Sequence, residues 1–279
     1  MNPAHALKLA ADRLAKALEL DAAGAGIEAR VLLAFAWKVD RAWLIAHAED
    51  PVDPEMLPKF EIMVERRLKG EPVAYITGFR EFYGVEFKVT QDVLVPRPET
   101  ELLVDLALER VPEQGAFRVL DLGTGSGIVG ISIARHRKRT TVTAVDKSPS
   151  ALAVAKQNGE KLENIRFLES DWFAALQGEK FDLILSNPPY IAEGDEHLAN
   201  LKFEPALALT SGRDGLDAIR SILEAAPSHL EPGGWLFFEH GYNQGEICRE
   251  LLSKSFAEVV TWRDLSGIER VSGGRLTSR

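Results

Sequence analysis

The chain has 279 residues, 46% hydrophobic and 27% charged, an ordinary globular composition with room for one large domain or two smaller ones. Its 33 Lys and Arg against 42 Asp and Glu give a formal net charge of -9, which argues against nucleic-acid binding over a broad basic surface. The single cysteine, Cys248, excludes an intrachain disulfide and points to a reducing compartment, where a packing role is expected for it.

The N-terminal stretch MNPAHALKLAADRLAKALEL is amphipathic and mixed in charge rather than basic and then apolar. No apolar run approaches the ~20 residues of a membrane span. A cytoplasmic protein without membrane association is therefore expected. None of the six histidines pairs with another His or with Cys248 at metal-ligand spacing, so no metal is expected either.

Residues 1–70 read as a small helical bundle. Apolar residues recur at helical spacing in ALKLAADRLAKAL, IEARVLLAFAWKV and MLPKFEIMVERRLKG, with glycines and then prolines between the runs. Residues 71–96 change character. AYITGFREFYGVEFKVT is rich in aromatic and β-branched residues separated by glycines, which predicts a β-hairpin linker. VLVPRPETELLVDLALER then predicts a turn and an amphipathic helix, with Thr100 and its acidic neighbours as start signals. From residue 97 to 279 a third region is expected, in which strands and helices alternate from FRVLDLG onward to AEVVTWRD. Such alternation predicts an α/β fold, a doubly wound Rossmann-like sheet, with ligands at the carboxyl ends of the strands.

The first of these strands ends in DLGTGSG, Asp121 to Gly127. Its G-x-G-x-G spacing differs from the G-x-G-x-x-G of dinucleotide enzymes, yet it allows a tight turn and close approach of a ligand to the backbone. The second strand ends in Asp146, an acid placed to accept the hydroxyls of a ribose. Asp121 suits a cationic ligand group better than a pyrophosphate, so S-adenosylmethionine is favoured over NAD. Asp171 and Trp172, after the third strand, fall where an adenine ring would lie.

The fourth strand ends in NPPY, Asn187 to Tyr190. Two prolines fix two φ angles, and the first biases Asn187 toward an extended conformation. A planar amide or aniline nitrogen is a weak nucleophile because its lone pair is delocalised. Two acceptors, the side-chain oxygen of Asn187 and the carbonyl of Pro188, would take its two N–H groups and aim the lone pair at a methyl group. Tyr190 is placed to stack on the planar group. This is catalysis by position and electrostatics.

DLGTGSG, AVD and NPPY together resemble a class I methyltransferase acting on a planar nitrogen. GFREFYG, VLVPRPETELLV, SDWF, FEPALAL, DGLDAIR, FFEHGYNQG and RDLSGIERV narrow the resemblance to the peptide chain release factor glutamine N(5)-methyltransferases, the HemK/PrmC family, from about residue 71 to 272. The resemblance implies transfer of a methyl group from S-adenosylmethionine to the glutamine amide of the Gly-Gly-Gln motif of class 1 release factors. It implies that Gly123, Thr124, Gly125, Ser126 and Gly127 line the methionine part of the cofactor, that Asp146 holds the ribose and that Trp172 lies by the adenine. Asn187, Pro188, Pro189 and Tyr190 would hold the substrate glutamine, with Asn187 also close to the cofactor. Pro96 to Glu99 would help to close the site, and the N-terminal bundle would help to dock the release factor. NPPY alone is shared with adenine- and guanine-amine methyltransferases, and a nucleic-acid methyltransferase is the alternative. The acidic balance and the flanking motifs weigh against it, so no nucleic-acid partner is expected.

Overall fold

A computed structural model describes residues 1–277. The chain divides into two compact units, Met1–Phe79 and a second that begins at Arg80.

The first unit is helical: α1 (Pro3–Leu18), α2 (Ala22–Trp37), α3 (Arg41–Ala46), α4 (Leu57–Leu68) and α5 (Val73–Thr77). Its helix starts are chemically marked. Asn2, Asp21 and Asp40 each accept a backbone N–H from the first turn of the helix they precede, satisfying one of the donors a helix start leaves unpaired. Leu14, Leu32, Leu33, Phe60 and Val64 form the buried centre. Ile27, Val31 and Phe35, four residues apart on α2, remain exposed. Residues 73–77 depart from the expected hairpin. They form one helical turn, in which Thr77 bonds back to the Val73 carbonyl at 3.0 Å.

The second unit opens with the hairpin β1 (Phe79–Phe82) and β2 (Val85–Lys88), then α6 (Glu101–Arg110). Next come β3 (Phe117–Leu122), α7 (Ile128–His136), β4 (Thr140–Asp146), α8 (Pro149–Asn158), β5 (Ile165–Glu169) and β6 (Phe181–Ser186). The unit ends with α9 (Asp217–His229), β7 (Leu230–Glu239), α10 (Gly245–Leu252), β8 (Phe256–Arg263) and β9 (Glu269–Leu276). The seven-stranded sheet has the order β5-β4-β3-β6-β7-β9-β8, parallel except for β9.

Strand alternation sends Leu120, Leu122 and Ile184 into a layer with α9 and α10, and Val119, Leu183 and Leu185 into a layer with α6 and α7. Each such leucine contributes roughly 1.5–3 kcal/mol by burial. Cys248 lies in the first layer, fully buried, with its thiol pushed up to about 12 by burial, so it packs as a small hydrophobe. Among the described residues no helix is long and apolar enough to cross a membrane.

Strand β9 is absent from the sequence expectation. In it, a Cβ at Gly273 would fall on the Phe237 ring and the Leu236 carbonyl. The glycine admits close strand packing rather than a turn. The chain leaves β3 toward β5 and returns at β6 on the other side of β3. That reversal opens a crevice at the carboxyl ends of β3 and β6.

Candidate active site

Four loops meet at that crevice, each following a parallel strand. They surround a cavity of about 350 Å³ lined by Asp121, Gly123, Thr124, Gly125, Ser126, Asp146, Asp171, Trp172, Asn187 and Pro189, together with Thr100. Gly127, Pro188 and Tyr190 are outside the lining. Gly127 is buried with φ +88° at the start of α7, and Pro188 is buried.

The glycine loop is held from both ends. Asp121, buried at the end of β3, accepts from the Thr124 hydroxyl at 2.6 Å and from the Gly130 N–H at 2.9 Å. Burial outweighs those bonds and pushes its carboxyl up to about 6. Gly123 and Gly125 sit at φ +68° and +56°, a region that favours glycine. The Ser126 carbonyl accepts from Asn158 Nδ2, whose side chain also bonds both backbone groups of Lys88. The hairpin, α8 and the loop are thus fixed to one another.

Asp146 braces the same loop. Its oxygens accept from the Gly125 and Ser148 N–H groups, both at 2.9 Å, while burial raises its pKa. The Lys147 N–H also favours the carboxylate, and with about four lone-pair sites on its two oxygens Asp146 keeps one for a ligand hydroxyl. Ser148 caps α8 through the Ala151 N–H. Trp172, at φ +50°, is partly buried against the core, with its ring near Gly123 and part of it lining the cavity. Asp171 is exposed and paired with Lys147 at 2.7 Å.

At the head of NPPY, Asn187 Nδ2 donates to Thr100 Oγ1 at 3.1 Å. Thr100 occupies the N-cap position of α6 but makes no capping bond. Its hydroxyl donates to Glu239 Oε2 at 2.7 Å, and the Tyr190 hydroxyl donates to Glu239 Oε1 at 3.1 Å. Tyr190 is thereby anchored by its hydroxyl, behind the cavity wall. Glu239, at the end of β7, is the residue the sequence analysis missed as a site group. Its signal was an acid closing the apolar run GGWLFFE. On the rim, Glu204 accepts from the Val95 N–H at 3.0 Å and from Arg97, tying the segment that carries Pro96 and Arg97 to the one that carries Pro205 and Leu207.

Burial pushes the Glu239 carboxyl up to about 7, against the lowering effect of its two hydroxyl donors and Arg270. The folded state therefore binds this proton more tightly than the unfolded chain, whose carboxyl titrates near the ordinary 4.5. Stability from this group is greatest below about pH 4.5 and is lost as pH rises to about 7, by up to ~3 kcal/mol. Urea unfolding at several pH values is expected to show a loss over that window that shrinks in Glu239→Gln.

Sheet order, glycine loop and crevice together define a Rossmann-like methyltransferase fold. A methyltransferase from Pyrococcus furiosus superimposes with a TM-score of 0.54 at 20% identity, over 77% of this chain and 98% of its own. The T. thermophilus 16S rRNA N2 G1207 methyltransferase, solved with AdoMet and guanosine, gives 0.53 at 22% identity, over 71% and 49%. Residues 5–78 match the PrmC N-terminal domain family and residues 100–204 the Methyltransferase small domain family. The release factor glutamine methyltransferase of Burkholderia pseudomallei is 47% identical over 99% of each chain. That of Bordetella pertussis is 49% identical over 90% of this chain and 94% of its own. The chain belongs to the release factor glutamine methyltransferase family.

Proposed function

We propose that this chain transfers a methyl group from S-adenosylmethionine to the side-chain amide nitrogen of the glutamine in the Gly-Gly-Gln motif of class 1 peptide chain release factors. The observation that carries the reading is the place of Asn187. It lines the same cavity as the glycine loop, with its amide nitrogen already committed to Thr100. Its oxygen is left to accept an N–H from a planar substrate amide.

The residues present fit the cofactor. Gly125 adds no side chain to the cavity wall, and a Cβ there would meet nothing within 4 Å. Asp146 offers a lone pair for a ribose hydroxyl, Trp172 offers apolar surface for the adenine, and Asp121 offers an acid for the methionine end. When bound, S-adenosylmethionine supplies the electrophilic methyl group. The protein's part is positional. Asn187 Oδ1, on the cavity wall, accepts one amide proton. The second acceptor this reading calls for is the Pro188 carbonyl, next to it in the chain though outside the lining. Together they turn the nitrogen lone pair out of conjugation and aim it. One proton leaves as the nitrogen becomes cationic, so no strong base is needed beforehand.

Asp146→Ala removes a ligand acceptor and releases the Gly125 N–H. S-adenosylmethionine affinity, measured by calorimetry, is expected to fall about tenfold to a hundredfold, the scale of a lost charged hydrogen bond. Unchanged affinity would remove Asp146 from the site.

The helical unit is assigned to docking the release factor, a reading supported by the exposed apolar row Ile27, Val31 and Phe35 on α2. Ile27→Asp with Val31→Asp is expected to raise KM for the release factor about tenfold with kcat unchanged. An unaltered KM would exclude that row. The whole reading is tested by supplying labelled cofactor with a release factor, DNA and RNA together. Label is expected on the release factor. Label confined to nucleic acid would replace the reading with the alternative of an exocyclic-amine methyltransferase.

A further inference from the structure

We propose that Glu239, acting through Thr100, holds the side-chain amide of Asn187 in the orientation that presents its oxygen to the substrate. The inference rests on the assignment of Asn187 as a substrate acceptor and adds two positioning residues to it.

The orientation follows from a count of protons. An ionised carboxylate has none, so both of its oxygens accept. Glu239 is 1% exposed and takes the hydroxyl protons of Thr100 and Tyr190. Burial is the largest influence on this carboxyl and, with Glu99, favours the neutral acid, pushing it up to about 7, while the two hydroxyl donors and Arg270, from β9, favour the ionised form. The count therefore holds above that pH, at about pH 8, where the variants are to be compared. Thr100 has a single hydroxyl proton, and with that proton given to Glu239 its oxygen turns only lone pairs toward Asn187. Asn187 must then face it with Nδ2, as observed at 3.1 Å. A flipped amide would set Oδ1 against the Thr100 oxygen, two acceptors with no proton between them, and would present an NH2 group to a substrate that itself brings N–H donors. Nothing else is asked of the Thr100 hydroxyl, because it makes no capping bond to α6.

Glu239→Gln breaks this logic while keeping the shape. A glutamine that accepts from Tyr190 turns its NH2 toward Thr100. The Thr100 proton is then free to point at Asn187, and the wrong amide orientation becomes as good as the right one. Thr100→Val removes the link itself, and Thr100→Ser keeps it.

The experiment is a double-mutant cycle on the full chain with Glu239→Gln, Thr100→Val and both together, with melting temperatures as the check on folding. Each single variant is expected to lower kcat about tenfold or more, with KM for the release factor and cofactor Kd within about twofold. The double variant should be no worse than the poorer single, because both act through one link. Thr100→Ser should restore most of kcat. Multiplying losses in the double variant, or wild-type kcat in folded Thr100→Val, would overturn the proposal.

A second readout needs no substrate. The side-chain amide resonances of Asn187, identified by their absence in Asn187→Ala, should move in Glu239→Gln but show no further movement when that change is added to Thr100→Val. If they do so while the wild type methylates no release factor, the relay stands and the substrate assignment falls. Resonances unmoved by Glu239→Gln would overturn the relay whatever the substrate is.

Discussion

Asn187→Ala is expected to lower kcat for methyl transfer by about a hundredfold to a thousandfold, the usual consequence of removing one preorganised polar group from a reacting centre. Cofactor affinity should change little, since the glycine loop and Asp146 are braced by their own bonds. Asp121 ties down Thr124 and Gly130, Asp146 ties down Gly125 and Ser148, and Asn158 ties down Ser126. The substitution also leaves Thr100 and Glu239 in place, so the buried carboxylate keeps both hydroxyl donors. Single-turnover methyl transfer together with calorimetry separates the two effects. Normal turnover by the variant would remove the amide-aiming role from Asn187. A parallel loss of cofactor binding would make Asn187 a cofactor residue first.

The second large effect lies away from the cavity lining. Gly215 has φ +77°, and a Cβ there would fall on the carbonyl oxygen of Tyr190, where Gln244 Nε2 already donates at 3.0 Å. The obstacle is backbone, so the clash is relieved only by moving the end of the NPPY segment. Gly215→Ala is expected to cost ~3 kcal/mol, the sum of left-handed backbone strain and a lost hydrogen bond. It should also cost about tenfold to a hundredfold in kcat, because small misplacements of a positioning group are costly. Gly178→Ala is the control. Gly178 has the same φ of +77° but nothing within 4 Å of the added Cβ, so only the strain of ~1–2 kcal/mol is expected. Urea unfolding of the two variants compares them. Equal destabilisation would show that backbone strain alone, without the Tyr190 carbonyl, sets the cost.

The glycine loop, Asp146, Trp172 and Asn187 were legible in the sequence for one reason. Each lies at or shortly after the carboxyl end of a parallel strand, β3, β4, β5 or β6, and such strands place their following loops at one edge. Local chemistry marked the helices equally well, through Ser148 before α8 and the glycines before α7. Where tertiary packing overrides local preference, the sequence misled. Val73, Tyr75, Ile76 and Thr77 have strand chemistry but form a helical turn, whose last four residues are buried. Strand β9 lay beyond the expected alternation, and its Gly273 and Gly274 serve close packing against Phe237 and Phe256.

Thr100 read as a helix cap and is instead a link between Asn187 and a carboxylate 139 residues further along the chain. No local pattern announces a bond of that sequence separation. Tyr190 shows the same limit. Its ring was expected to stack on a substrate, while the structure spends its hydroxyl on Glu239, with burial and the neighbouring carboxylate raising its pKa. The chemistry of NPPY was readable because it sits in four consecutive residues. The support beneath it was not, because it is assembled from β7, the start of α6 and the end of β6.

The most direct measurement is fragment mass spectrometry of a release factor after incubation with the protein and methyl-labelled S-adenosylmethionine. One methyl group is expected on the side-chain nitrogen of the Gly-Gly-Gln glutamine, absent when Asn187→Ala replaces the wild type. A methyl group on another residue, or a release factor left unmodified while nucleic acid takes the label, would contradict the proposed function.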